Sequence, residues 1–304
     1  MIFRGKSDKI GAWTAKKEAA MKENIFDSLL IEMRHIDGKK PDTAFTLYGE
    51  RFRTPVMTAA LSHLDEVCPN GMTELARGAA MAGAVSWIDM GEKEELLKIA
   101  GTGAKFIEII KPFADNDLIL ERISHAEKCG ALAVGLDIAY AFDESGEYAQ
   151  VRGYDMKPKS REEIRKFAAS TSLPFIVKGV LGARDAYKAL EAGALGIMVS
   201  HHPGSMDYAL PPLVILPEIL KVINGQIPVF VDCGITSGVD AFKALALGAS
   251  AVCAGSVLLP SLKEAGAQGV AMALSQMNDE LKGVMARTGC YDLKHMDQTV
   301  LHKI

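Results

Sequence analysis

From residue 55 onward, short runs of apolar residues alternate with stretches whose apolar positions return every third or fourth residue. The runs fall at residues 55–60, 84–90, 105–110, 132–137, 174–178, 195–200, 227–232 and 250–255. Each is apolar on both faces and bounded by Gly, Pro or a charge, the pattern of a parallel strand buried on both sides. Between them, residues 72–81, 93–99, 115–128, 161–169, 183–191, 213–222, 239–247 and 262 onward have helical periodicity. Some ends are legible too. Ser160 precedes Arg161-Glu162-Glu163, a capping residue followed by a carboxylate three positions on. Gly193 and Gly248 stand where a helix stops and a strand begins.

Eight strands alternating with eight helices predict an α/β fold, a single (β/α)8 TIM barrel over residues 54–304. A doubly wound open sheet is the rival. Residues 1–53 lack this alternation and are expected to form an N-terminal cap of helix plus short strand. The 304 residues suffice for one such barrel and a large buried core.

Composition narrows the function. Apolar residues make up 49% and charged residues 24%, as in ordinary globular proteins. With 34 Lys and Arg against 38 Asp and Glu, the formal charge is −4, so no basic field draws in nucleic acid or anionic membrane. Cys68, Cys129, Cys233, Cys253 and Cys290 form no C-x-x-C pair and read as free thiols in a reducing compartment. The charged first eighteen residues lack the apolar core of a signal peptide. The expectation is a cytoplasmic protein acting on a small molecule.

A (β/α)8 barrel places its chemistry at the C-terminal ends of its strands. Those ends offer Thr58, Asp89, Glu108, Asp137, Lys178, Ser200 with His201 and His202, Asp232, and Gly255. Asp232-Cys233-Gly234-Ile235-Thr236-Ser237-Gly238 after strand seven, and Cys253-Ala254-Gly255-Ser256 after strand eight, have the form of a phosphate cradle. Lys178 ends an apolar strand and needs an anion to stay charged, either a ligand or Asp137 or Asp232. A metal on His201, His202 and Asp207 is awkward, because adjacent residues of an extended chain face opposite ways; no metal is expected.

Leu173-Pro174-Phe175-Ile176-Val177-Lys178-Gly179, Val199-Ser200-His201-His202-Pro203-Gly204, the loop 232–238 with its following helix, and Arg287-Thr288-Gly289-Cys290 together resemble the FMN-dependent 2-hydroxy-acid oxidase and dehydrogenase family. The order and spacing hold over residues 26 to 300, most specifically over 173–255. The resemblance implies that FMN is the cofactor and that Lys178 sits at the pyrimidine edge of its ring, stabilising negative charge there. It puts the backbone of Thr58, Ala59 and Ala60 beside the ring, and Ser86, Glu108, Ser200 and Asp232 around it. Gly234, Thr236, Gly255 and Ser256 would face the phosphate. His202 matches the base that takes the substrate hydroxyl proton, with Asp137 steadying the imidazolium. A homo-oligomer is the implied assembly.

The departures are as informative. No arginine follows the histidine pair, where the run reads Pro203-Gly204-Ser205-Met206-Asp207. By the same matching Glu108 stands for a glutamine, Ile110 for a tyrosine and His201 for an asparagine. Arg152 is a candidate for the family's other substrate arginine, and Thr236 and Ser256 replace two phosphate arginines. Loss of a clamping arginine and a tyrosine should cost roughly 10²- to 10⁴-fold toward a small hydroxy-acid anion. The expected activity is FMN-dependent oxidation of a hydroxylated or carbonyl compound without the usual carboxylate clamp. A flavin-dependent isomerase, a non-redox phosphate-binding barrel enzyme and a catalytically silent flavin-binding protein remain the alternatives.

Overall fold

A computed structural model describes residues 25–202, 206 and 208–304. Eight parallel strands follow the predicted runs: β1 Val56–Thr58, β2 Ser86–Asp89, β3 Phe106–Ile110, β4 Ala133–Asp137, β5 Phe175–Val180, β6 Gly196–Val199, β7 Val229–Val231 and β8 Ala251–Ala254. Each pairs with its neighbour, and β8 pairs with β1. The ring closes between β1 and β2, where Thr58 N donates to Val85 O (3.2 Å) and Asp89 N to Leu61 O (3.1 Å). The chain is therefore a (β/α)8 barrel.

Helices α1 Gly71–Ala82, α2 Lys93–Ala100, α3 Asn116–Lys128, α4 Arg161–Ala169, α5 Ala183–Glu191, α6 Pro212–Ile223, α7 Gly238–Ala246 and α8 Leu259–Thr288 surround it. Ser160 and Glu163 form a reciprocal capping box at α4, as the sequence signature predicts. The last helix starts three residues earlier than its periodicity suggests because Pro260 suits a helical first turn. Non-helical angles at Ala265 and Gly266 then kink it. Among the described residues, no helix is long and apolar enough to cross a membrane.

Strand alternation sorts the core into two layers. Met57, Val85, Trp87, Ile107, Ile109, Ala133, Ile176, Met198, Phe230, Ala251 and Cys253 fill the barrel interior, with Trp87 edge-on to Phe230 at 5.2 Å. Their neighbours, among them Val56, Ile88, Phe106, Ile110, Val134 and Val177, pack outward against the helices. The hairpin of Phe45–Leu47 and Glu50–Phe52 adds Leu47 and Phe52 to the interior layer, and the Tyr48 hydroxyl donates to Leu195 O (2.9 Å) just before β6. Leu29–Ile31 pairs antiparallel with Leu301–Lys303. Of the cap expected over residues 1–53, residues 1–24 lie outside the described residues. With the interior filled and one end plugged, the C-terminal strand ends are left for chemistry.

Candidate active site

Continuing each strand's alternation one step past the apolar interior brings six ionisable side chains to the C-terminal rim. They are Asp89 on β2, Lys111 just past β3, Asp137 on β4, Lys178 on β5, His202 past β6 and Asp232 past β7. Five of them are more than nine-tenths buried, and they satisfy one another in an alternating chain of charge. Lys111 Nζ lies 2.8 Å from Asp89 Oδ2 and 3.3 Å from Asp137 Oδ2. Lys178 Nζ lies 3.6 Å from Asp137 Oδ2, 3.4 Å from Asp232 Oδ2 and 3.3 Å from Ser200 Oγ. His202 Nε2 lies 2.7 Å from Asp137 Oδ2 and 3.0 Å from Lys178 Nζ.

The charges hold each other's protonation states. Burial alone would raise the pKa of Asp137, but Lys178, His202 and Lys111 outweigh it and keep the carboxyl well below the usual carboxylate range. Burial works against the ammonium of Lys178, yet Asp137 and Asp232 push its pKa above the ordinary lysine value. Lys111 behaves alike between Asp89 and Asp137. Asp232 is also held low: Lys178 and hydrogen bonds from Cys233 and Ser200 overcome its burial. Asp137 Oδ2 accepts from His202 Nε2 in the tautomer that carries its hydrogen there, which leaves the ring's accepting lone pair on Nδ1. Tyr140 packs edge-on to the His202 ring at 4.4 Å and presents its face to Lys111 Nζ at 3.5 Å. His202 holds this pose with φ 43°, a left-handed conformation uncommon for histidine.

The structure thus brings His202, Asp137, Lys178, Ser200 and Asp232 together. His201, its neighbour, is buried beside Asp232, and burial lowers its pKa. The strand register turns two expected ring contacts, Glu108 and Ser86, and one expected substrate position, Ile110, away from the barrel axis. Glu108 and Ile110 lie on the outward face of β3. Ile110 packs in the helix-facing layer, and Glu108 Oε1 accepts from Gly91 N (3.0 Å). Burial first, and Asp89 second, push the pKa of Glu108 well above the normal carboxyl range. The inward residues at this level are Ile109 and Lys111, so Ile110 is not where a substrate-facing tyrosine would stand. Ser86 is likewise outward, its hydroxyl 3.2 Å from Thr58 Oγ1. Arg152 is exposed in the turn joining Gln150–Val151 to Tyr154–Asp155, and its charge bears on His63 in the loop after β1. Pro203, Gly204, Ser205 and Asp207 lie outside the described residues.

Asp89, Lys111 and Tyr140 are additions that the family matching missed. For Asp89 and Lys111 the one advance signal is position, a charge ending an apolar run; Tyr140 carries no such signal.

The phosphate end is built on the two loops after β7 and β8. Cys233 (φ 63°) and Gly234 (φ 88°) both take left-handed angles that turn the chain toward α7, and a side chain on Gly234 would strike Phe26. Thr236 N and Oγ1 both donate to Asp240 Oδ2, at 3.0 and 2.9 Å, and Ser237 caps α7. Gly255 leaves β8 beside Ala59, whose Cβ would stand 3.3 Å from an added Cβ. The set fits FMN. Ala59, Ala60 and Gly255 are small enough to let a flat ring approach, Lys178 is a buried cation at the same rim, and the glycine-bearing turns after β7 and β8 suit a phosphate.

Comparisons with known proteins name the family. Residues 11–161 and 141–303 match the model of the FMN-dependent dehydrogenase family. The chain is 32% identical to glycolate oxidase 3 of Arabidopsis thaliana, covering 94% of this chain and 87% of that protein. It is 30% identical to glycolate oxidase of Spinacia oleracea, covering 92% and 86%. A mandelate oxidase structure with a monooxide FMN adduct superposes with TM-score 0.87 at 28% identity, over 97% of this chain and 96% of that one. A putative lactate oxidase of Pediococcus acidilactici gives 0.86 at 26% identity, over 99% and 88%. The chain belongs to the FMN-dependent dehydrogenase family and is an FMN-dependent oxidoreductase of the 2-hydroxy-acid oxidase type.

Proposed function

We propose that this enzyme oxidises a hydroxylated small molecule to the carbonyl compound while lacking the carboxylate clamp of a 2-hydroxy-acid oxidase. The observation that carries the reading is the His202–Asp137–Lys178 cluster at the barrel mouth. Bound FMN supplies the acceptor for the two electrons removed from the carbinol carbon. His202 Nδ1 takes the hydroxyl proton, and Asp137, already ionised, stabilises the imidazolium that results. Lys178 offsets negative charge gained at the ring edge. Ser200 and Asp232 hold Lys178 in place. Thr58, Ala59 and Ala60 line the ring through backbone, and Gly234, Thr236, Gly255 and Ser256 form the phosphate loop, with Thr236 bracing it through Asp240.

Lys111, the cation at the inward position of β3, is shared among Asp89, Asp137 and the face of Tyr140, so a substrate carboxylate would have to compete with all three. Turnover of lactate and glycolate by the FMN-loaded enzyme should accordingly be negligible. A kcat/KM above ~10⁴ M⁻¹s⁻¹ for either, an ordinary enzyme value, would show that another group, such as Arg152, replaces the clamp. Five free cysteines support a reducing, cytoplasmic setting. Light scattering would test the homo-oligomer implied by the family resemblance.

A further inference from the structure

The rim contains an acceptor that the proposed chemistry does not use. Asp89 is 8% exposed, and its Oδ2 is held by Lys111 at 2.8 Å. Its other oxygen, Oδ1, is buried and has no hydrogen-bond partner among the described residues. A buried carboxylate oxygen left without a donor is costly, so a site that keeps one is built for a ligand that supplies it. Asp89 is also close to the reacting end. One ammonium group, Lys111 Nζ, bridges it to Asp137, and the same Asp137 oxygen accepts from His202 Nε2 at 2.7 Å. Asp89, Lys111, Asp137 and His202 thus stand in one connected chain of polar contacts along the rim.

The cations nearby are spent. Lys111 serves Asp89, Asp137 and the Tyr140 ring. Lys178 serves Asp137, Asp232 and Ser200. Three carboxylates (Asp89, Asp137, Asp232) against two ammonium groups leave the rim at net −1 with His202 neutral. An anionic substrate meets repulsion here, and a group bearing N–H or O–H meets an acceptor.

We infer that Asp89, positioned by Lys111, determines specificity: its Oδ1 accepts from a hydroxyl or ammonium group next to the carbinol being oxidised, so the substrate is a vicinal diol or amino alcohol. This rests on the proposed oxidation at His202. In this conversion of CH–OH to C=O the carbinol carbon would give its hydrogen together with two electrons to FMN, the hydroxyl would give its proton to His202, and the neighbouring donor group would be unchanged.

The test is anaerobic titration of the FMN-loaded full-length protein, following the flavin visible spectrum. The probes are glycerol for a neutral diol, 2-aminoethanol for an ammonium, and lactate for a carboxylate. At least one donor probe should bind and lactate should bind more weakly; which donor binds tighter separates diol from amino alcohol. In Asp89→Asn the amide can keep its oxygen on Lys111 and turn NH₂ to the substrate. The donor-to-lactate affinity ratio should then fall about 10- to 100-fold, the worth of a hydrogen bond to a charged group. Asp89→Glu, which keeps the carboxylate, should retain the wild-type preference and guards against a folding defect in the asparagine variant.

Four results overturn the inference: no spectral change with either donor probe, lactate binding as tightly as the donors, an unchanged ratio in Asp89→Asn, or loss of FMN affinity alone in that variant. The last would assign Asp89 to the cofactor. The failure of the underlying reading looks different: the donor probes would bind with the expected preference, yet the flavin would be bleached no faster in wild type than in His202→Ala.

Discussion

Replacing Asp137 by Asn keeps the shape of the side chain and removes the charge at the centre of the rim. Its Oδ2 sits 2.7 Å from His202 Nε2, 3.3 Å from Lys111 Nζ and 3.6 Å from Lys178 Nζ, while Oδ1 accepts from Ala139 N at 3.1 Å. An amide satisfies only one side. With its oxygen toward the cations its NH₂ meets the Ala139 N–H, and turned over it meets three donors. Removing one partner of a buried ionic group costs about 3–5 kcal/mol. At roughly 2–3 °C per kcal/mol for a chain of this size, Tm should fall about 6–15 °C at pH 7. The pH dependence carries a definite sign. The folded pKa of Asp137 is depressed, so its contribution is present above the unfolded carboxyl value and lost as pH falls through the folded one. The Tm gap between wild type and Asp137→Asn, followed by far-ultraviolet circular dichroism, should be full at pH 7 and narrow below about pH 4. A gap that is absent at pH 7, or constant from pH 7 down to pH 3, would refute the charge network.

Two further substitutions probe the flanks. Lys178→Met leaves Asp232 and Asp137 without their shared cation and should lower the two-electron reduction potential of bound FMN by roughly 30–65 mV, equivalent to about 1.5–3 kcal/mol for a charge-assisted hydrogen bond; an unchanged potential places Lys178 away from the ring. Glu108 has a raised folded pKa, so its stabilising contribution is complete below the unfolded value and is lost as pH rises through the folded one. Glu108→Gln should therefore match wild type in acid and gain in relative stability as pH rises. Tm curves that run parallel across pH would show that Glu108 does not titrate in the buried outer layer.

The barrel was legible because every strand is an apolar run closed by Gly, Pro or a charge, and because α4 and α5 carry unambiguous periodicity. What remained hidden was which residues of a run face inward. Phe106-Ile107-Glu108-Ile109-Ile110 is buried throughout, so hydrophobicity does not mark its inner face, and a shift of one residue exchanges the two faces. Glu108 looked like the chemical residue because it is the polar one. It is instead a buried carboxyl under the loop at Gly91, and the inward charge is Lys111, one step beyond the strand. Ser86 misleads in the same way, while Asp89 three residues later reaches the rim. Where a strand ends on an inward charge, as at Asp137, Lys178 and Asp232, position in the sequence was enough to anticipate that these side chains meet at the rim.

The most direct measurement is the rate at which FMN in the anaerobic enzyme is bleached by its hydroxylated substrate, in wild type and in two histidine variants. His202 contacts both Asp137 and Lys178, whereas His201 lies beside Asp232. Removing a general base costs about 10²- to 10⁴-fold. His202→Ala should slow bleaching by that factor, while His201→Asn, which keeps a donor and an acceptor, stays within about tenfold of wild type. Bleaching at the wild-type rate in His202→Ala, with His201→Asn the slower of the two, would contradict the account.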